Sequence, residues 1–79
     1  MKEIQLKYFG MVAERMGVDS ESIQTQAENV EALVKELENR QWLLAQLPYQ
    51  VAVNQELKPT TMLLNDGDEV ALLPPFAGG

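Results

Sequence analysis

The sequence predicts an α+β domain of two layers, a mixed β-sheet with one main helix packed across it. Three observations carry this reading. Apolar side chains alternate over residues 2–9 and run unbroken from Val70 to Leu73, the patterns of a half-buried and of a central strand. Between them Val30, Leu33, Val34 and Leu37 recur at i, i+3, i+4 and i+7, one face of a helix. The 79 residues contain neither cysteine nor histidine, so the chain has no disulfide and no zinc site of the usual kind to staple it. Its fold must rest on apolar burial in a single core, for which the 46% hydrophobic content is ordinary.

In the first strand Ile4, Leu6 and Tyr8 share one face, opposite Glu3, Gln5, Lys7 and Phe9. Phe9 is the odd member of a polar face, either covered by the rest of the fold or left for a partner. Met11 to Met16 make a short helical turn that Gly17 can close in the left-handed conformation. Residues 20–25, with Ile23 alone strongly apolar, read as a weak strand at a sheet edge. The main helix starts at Asn29, a good N-cap. Glu28 and Glu31 lie where the helix dipole favours acids, Glu31 pairs with Lys35 at i,i+4, and Arg40 sits at the far end, a solvated face. Trp42, Leu43, Leu44 and Leu47 continue the helical packing until Pro48 stops it, and the single tryptophan is expected in the core.

Tyr49 to Val53 alternates as a strand, and Asn54-Gln55-Glu56 supplies a turn toward Leu57, Lys58 and Pro59. A second turn, Asn65-Asp66-Gly67-Asp68, precedes the last strand. Its Asp66 and Asp68, with Glu69, read as solvated turn formers rather than as metal ligands or paired catalytic acids. The order strand, strand, helix, strand, strand places the two most apolar strands, first and last, side by side at the sheet centre. A β-grasp fold satisfies that order, whereas a ferredoxin-like split needs a second long helix.

Charge narrows the function classes. Twelve acidic residues stand against 6 basic ones, a net charge of −6, and the bases are scattered at Lys2, Lys7, Arg15, Lys35, Arg40 and Lys58. No basic stripe is present for a nucleic acid, so an acidic carrier visiting basic partner clefts is the better fit. The charges of Met1 to Lys7 interrupt any apolar run, so neither a signal peptide nor a membrane span is expected, and a soluble cytoplasmic protein is. Without cysteine or histidine the usual nucleophile and base sets of an autonomous enzyme are missing.

The last strand is expected to end at Pro74-Pro75, since neither proline can donate a ladder hydrogen bond. Residues 74–79 then remain, and fully extended they reach roughly 20 Å. The prolines stiffen the base of this tail, and Gly78 and Gly79 leave its tip without a side chain, able to enter a channel too narrow for a Cβ. An unhindered terminal glycine carboxylate is a good group for a partner enzyme to activate as an acyl-adenylate. Sulfur delivered there leaves a nucleophilic thiocarboxylate and requires no catalytic side chain from this chain.

The stretch Asp66-Gly67-Asp68-Glu69-Val70-Ala71-Leu72-Leu73-Pro74-Pro75-Phe76-Ala77-Gly78-Gly79 resembles the C-terminal signature of the molybdopterin synthase small subunit, the MoaD family. Val51-Ala52-Val53-Asn54-Gln55 resembles that family's central strand and turn, and Tyr8-Phe9-Gly10 its first-strand exit. The resemblance spans the chain and is most specific at the tail, because the related thiamine-pathway carriers share the Gly-Gly end but are usually shorter and lack the Pro-Pro pair.

The resemblance implies a ubiquitin-like β-grasp domain over residues 1–73 and an extended tail over residues 74–79. It implies that a ubiquitin-activating-like adenylyltransferase uses ATP to activate the terminal glycine, that a sulfur donor converts it to a thiocarboxylate, and that this chain binds no cofactor or metal. The tail then enters the large subunit of molybdopterin synthase, in a heterotetramer, and gives its sulfur to cyclic pyranopterin monophosphate. The carrier is thus a sulfur-donating subunit with no autonomous activity. Carried over by position, Gly79 bears the thiocarboxylate, Gly78 and Ala77 enter with it, and Phe9, Leu57, Leu73 and Phe76 form the apolar contact surface; Leu73 could equally be core. Where family members often carry a basic residue just after the first strand, this chain has Ala13, with Arg15 nearby. A carrier for thiamine or another sulfur-requiring pathway, a ubiquitin-like modifier joined through Gly79 to lysines, and a plain interaction domain are the competing readings.

Overall fold

The computed structural model describes residues 1–75. Along them run β1 (Lys2–Tyr8), α1 (Met11–Met16), β2 (Ser20–Thr25), α2 (Val30–Arg40), a 3-10 helix (Trp42–Gln46), β3 (Gln50–Val53), β4 (Glu56–Leu57) and β5 (Glu69–Leu73). Local chemistry sets the main boundaries. Gly17 takes φ 79° at the end of α1 and its N–H donates to the Ala13 carbonyl at 2.9 Å, a conformation that costs a residue with a Cβ about 1–2 kcal/mol. Asn29 stays extended, and its side-chain oxygen accepts from the Ala32 N–H at 2.9 Å, opening α2 as a side-chain cap.

The strands form one sheet in the order β2-β1-β5-β3-β4. β1 and β5 lie parallel at its centre, Leu6 beside Val70 and Tyr8 beside Leu72, and every other pairing is antiparallel. This is the β-grasp arrangement: the two ends of the domain pair with each other and the intervening chain carries α2 across one face. Val30, Leu33 and Leu37 of α2 are fully buried with Ile4 and Leu6 of β1, Tyr8, Val53, Val70 and Leu72 in one apolar cluster. Each such aliphatic side chain contributes about 1.5–3 kcal/mol when withdrawn from water.

One polar network ties the layers at the end of β1. The Tyr8 hydroxyl donates to Glu21 Oε2 at 2.6 Å, and Arg40 Nη2 donates to both Glu21 oxygens at 2.9 and 3.2 Å. Burial, and then the hydrogen bond to the Glu21 carboxylate, push the Tyr8 phenol well above its ordinary pKa. Tyr49 is raised in the same way by its own burial and by donating to Glu38 Oε2 at 2.6 Å. Arg40 is therefore not simply a solvated end of the helix, whereas Glu31 and Lys35, 3.6 Å apart, do form the exposed pair expected of them.

Three expectations are corrected. Trp42 is 65% exposed rather than core. In a 3-10 helix the side chains repeat every three residues, so buried Leu44 shares its face with partly buried Leu47, and Trp42, two positions earlier, falls on another face. The sheet has a fifth strand, β4, of two residues, too short to leave an alternating pattern. Asp68 is buried rather than solvated: its carboxylate folds back to accept from the Asn65 N–H at 2.8 Å and from Asn54 Nδ2 at 3.0 Å.

Candidate partner-docking face and tail exit

The face of the sheet turned away from α2 carries the candidate site. Cross-strand register builds it: Lys7 lies beside Ala71, Ala71 beside Ala52, and Ala52 beside Leu57, one row across β1, β5, β3 and β4. The next row outward on β5 is Leu73, paired with Gln50. Just past β1, the Phe9 N–H donates to the Leu72 carbonyl at 3.2 Å, which extends the pairing to the strand ends. Strand parity thus places Phe9, Leu73, Ala71, Ala52 and Leu57 on the same side.

Exposure separates the members of this face. Phe9 is 45% and Leu57 64% exposed, far above the core residues on the opposite face, and Leu73 is half-buried. The alanines lie low, so that Phe9 and Leu73 rise beside a shallow groove whose other walls are Lys7, Ala52, Gln55, Glu69 and Ala71. Lys7 and Glu69 pair across it at 3.7 Å. Apolar walls ringed by a few polar groups are the composition of a protein-docking surface. Three of the four residues expected to form the contact surface, Phe9, Leu57 and Leu73, therefore share one face.

The tail leaves from the edge of this face, and its base is held. Gly10, at φ 57° and ψ −131°, faces the Pro74 ring so closely that a Cβ at position 10 would lie 2.9 Å from Pro74 Cγ. Gln50 Nε2 donates to the Pro75 carbonyl at 3.4 Å. Met11, Val12, Leu47 and Pro48 complete an apolar cleft around the two prolines. Phe76, Ala77, Gly78 and Gly79, the remaining expected site residues, lie outside the described residues.

Sequence reasoning did not single out Lys7, Gln55 or Ala52 for the face, nor Gly10 and Gln50 for the exit. Parity would have found Lys7, which shares its strand face with Phe9. The exit contacts join Gly10 of the β1–α1 turn to Pro74, more than sixty positions away, and Gln50 of β3 to Pro75, 25 positions away, and no local pattern encodes them. Among the described residues no group of three or more His, Cys, Asp or Glu is placed to hold a metal ion, and no helix is long and apolar enough to cross a membrane.

Comparison with known proteins gives a consistent result. The model of the ThiS family matches residues 6–79. The chain is 39% identical to the human molybdopterin synthase sulfur carrier subunit over 98% of this chain and 94% of that protein. It is 36% identical to the Escherichia coli molybdopterin synthase sulfur carrier subunit over 96% of this chain and 99% of that one. Among solved structures, it is similar to a chain in the complex of subunits 1 and 2 of the Helicobacter pylori molybdopterin-converting factor, with a TM-score of 0.70 and 26% identity over 98% of this chain and 99% of that one.

Proposed function

The chain belongs to the ThiS family, and from that premise we propose that it is a sulfur carrier subunit of molybdopterin synthase. The reading is carried by one observation, an apolar face of exposed Phe9 and Leu57 with half-buried Leu73, on which Phe9 and Leu73 flank a groove beside the point where the Pro74-Pro75 tail leaves the sheet. It is supported by relatives named as molybdopterin synthase sulfur carrier subunits, which the chain matches along nearly their whole length. The subunit 1 and 2 complex of the Helicobacter pylori factor supports a large-subunit partner; the heterotetramer is part of the proposal.

In this reading the chemistry belongs to partners. A ubiquitin-activating-like adenylyltransferase binds ATP, and a Gly79 carboxylate oxygen attacks its α-phosphorus, releasing pyrophosphate and leaving an acyl-adenylate. A donor's sulfide-level sulfur then attacks the acyl carbon, and the bond to the adenylate oxygen breaks with loss of AMP, giving the thiocarboxylate without any change of oxidation state. The tail carrying it, with Ala77 and Gly78, enters the large subunit, where the sulfur passes to cyclic pyranopterin monophosphate. Phe9, Leu57, Leu73 and Phe76 seat the carrier against that subunit, and the body holds the tail base in a fixed direction through Gly10 and Gln50.

Incubation with the cognate adenylyltransferase, ATP and a sulfur donor should raise the mass of the chain by one oxygen-to-sulfur exchange, localised to Gly79. Deletion of Gly79 should abolish that gain while leaving binding to the large subunit measurable. An unchanged mass, or accumulation instead of protein adducts that survive denaturation and reductant, would overturn the reading.

A further inference from the structure

The turn between β3 and β4 contains two non-glycine residues with positive φ, Asn54 at 51° and Gln55 at 71°. Such a pair makes the two-residue hairpin connection whose second position is most often glycine. Asn54 tolerates the left-handed region well and uses its side chain for the fold. Its amide donates to Asp68 Oδ1 at 3.0 Å, and its carbonyl oxygen accepts from the Glu69 N–H at 3.0 Å. Gln55 takes no part in that network. It is exposed, bears the unfavourable backbone geometry, and lines the groove with Phe9 and Leu73. A strained residue whose side chain does nothing for its own fold, but borders an exposed apolar groove, has the signature of a site held for recognition.

We propose that Gln55 is a specificity-determining contact for the protein that docks on this face. Its primary amide, a donor and an acceptor on one short arm, pairs with a peptide-like group of the partner that Phe9 and Leu73 shield from water. The proposal rests on the sulfur-carrier reading, with the large subunit as the occupant. Lys7 and Glu69 satisfy each other across the groove floor, which leaves Gln55 as the neutral polar group at its rim.

The test uses the full chain and the purified large subunit from the same source, with affinity measured by titration calorimetry and Tm measured on the carrier alone. Gln55→Gly should raise Tm, because glycine accepts the positive φ, and should weaken binding about five- to tenfold, the range of one lost hydrogen bond. Gln55→Met keeps the bulk and the backbone strain but not the amide; it should weaken binding by a similar factor with Tm unchanged. A purely structural role for Gln55 moves Tm without moving affinity. Binding within twofold of the wild type in both variants would therefore overturn the proposal. Failure of the wild-type chain to bind the large subunit at all would overturn the sulfur-carrier reading beneath it.

Discussion

The hydroxyl of Tyr8 closes a chain from β1 through Glu21 of β2 to Arg40 of α2. With Tyr49, it makes stability depend on pH in a stated direction. Both phenols are raised above their ordinary pKa by burial and by a carboxylate acceptor, so the folded state holds its protons longer than the unfolded state. Their contribution is fully present below about pH 10, where unfolded tyrosine begins to ionise, and is lost as pH rises beyond it. The Tm of the wild type should fall between about pH 10 and pH 12 more steeply than that of the Tyr8→Phe/Tyr49→Phe variant. Equal slopes would mean that the phenols ionise freely. Asp68 gives a second prediction. Its carboxylate, while buried, serves the Asn65 N–H and the Asn54 amide, so Asp68→Ala removes the acceptor of both bonds and should cost about 1–2 kcal/mol in a urea titration. Asp66, the exposed neighbour that accepts from the Glu3 N–H at 2.6 Å, should cost less on the same substitution.

At the level of elements, α2 is where sequence and structure agree most closely, for a local reason. The cap is three residues from its donor and the apolar stripe repeats every turn, so both are written within a dozen positions. Asn29→Ala should lower stability by about 0.5–2 kcal/mol, and Leu37→Ala, which opens a cavity against the sheet, by about 2–5 kcal/mol. Equal losses in a denaturant series would contradict the view that α2 is held chiefly by its buried face. The central pairing of β1 with β5 was legible too, since only the first and last strands are apolar enough for the sheet centre. Other features were not readable because their partners are distant or their patterns too short. The two residues of β4 cannot display a period, the 3-10 helix turns Trp42 outward, and the Arg40–Glu21 pair joins positions nineteen apart. For the candidate face, parity and family resemblance reached Phe9, Leu57 and Leu73. The Gln55 geometry could be found only from the backbone, because a glutamine in a turn carries no mark of its φ angle.

At the scale of the whole molecule, the protein presents an apolar patch on a body with a net charge of −6, and the two properties act on different steps of association. A field from the whole charge distribution steers encounter and is screened over a Debye length, about 10 Å at 0.1 M salt. Desolvated apolar contacts form only after encounter and govern how long the complex lasts. For the large subunit proposed as its partner, the association rate constant should therefore fall by about tenfold as ionic strength rises from about 0.02 to about 0.5 M, while the dissociation rate constant changes little. Phe9→Ala and Leu57→Ala should do the opposite, raising the dissociation rate constant and leaving the association rate constant and its salt dependence nearly intact. Stopped-flow or surface-resonance kinetics over a salt series separates the two. An association rate constant indifferent to salt would mean that the acidic body does not guide the tail to its cleft, and that the face around Phe9 and Leu57 must find its partner by diffusion alone.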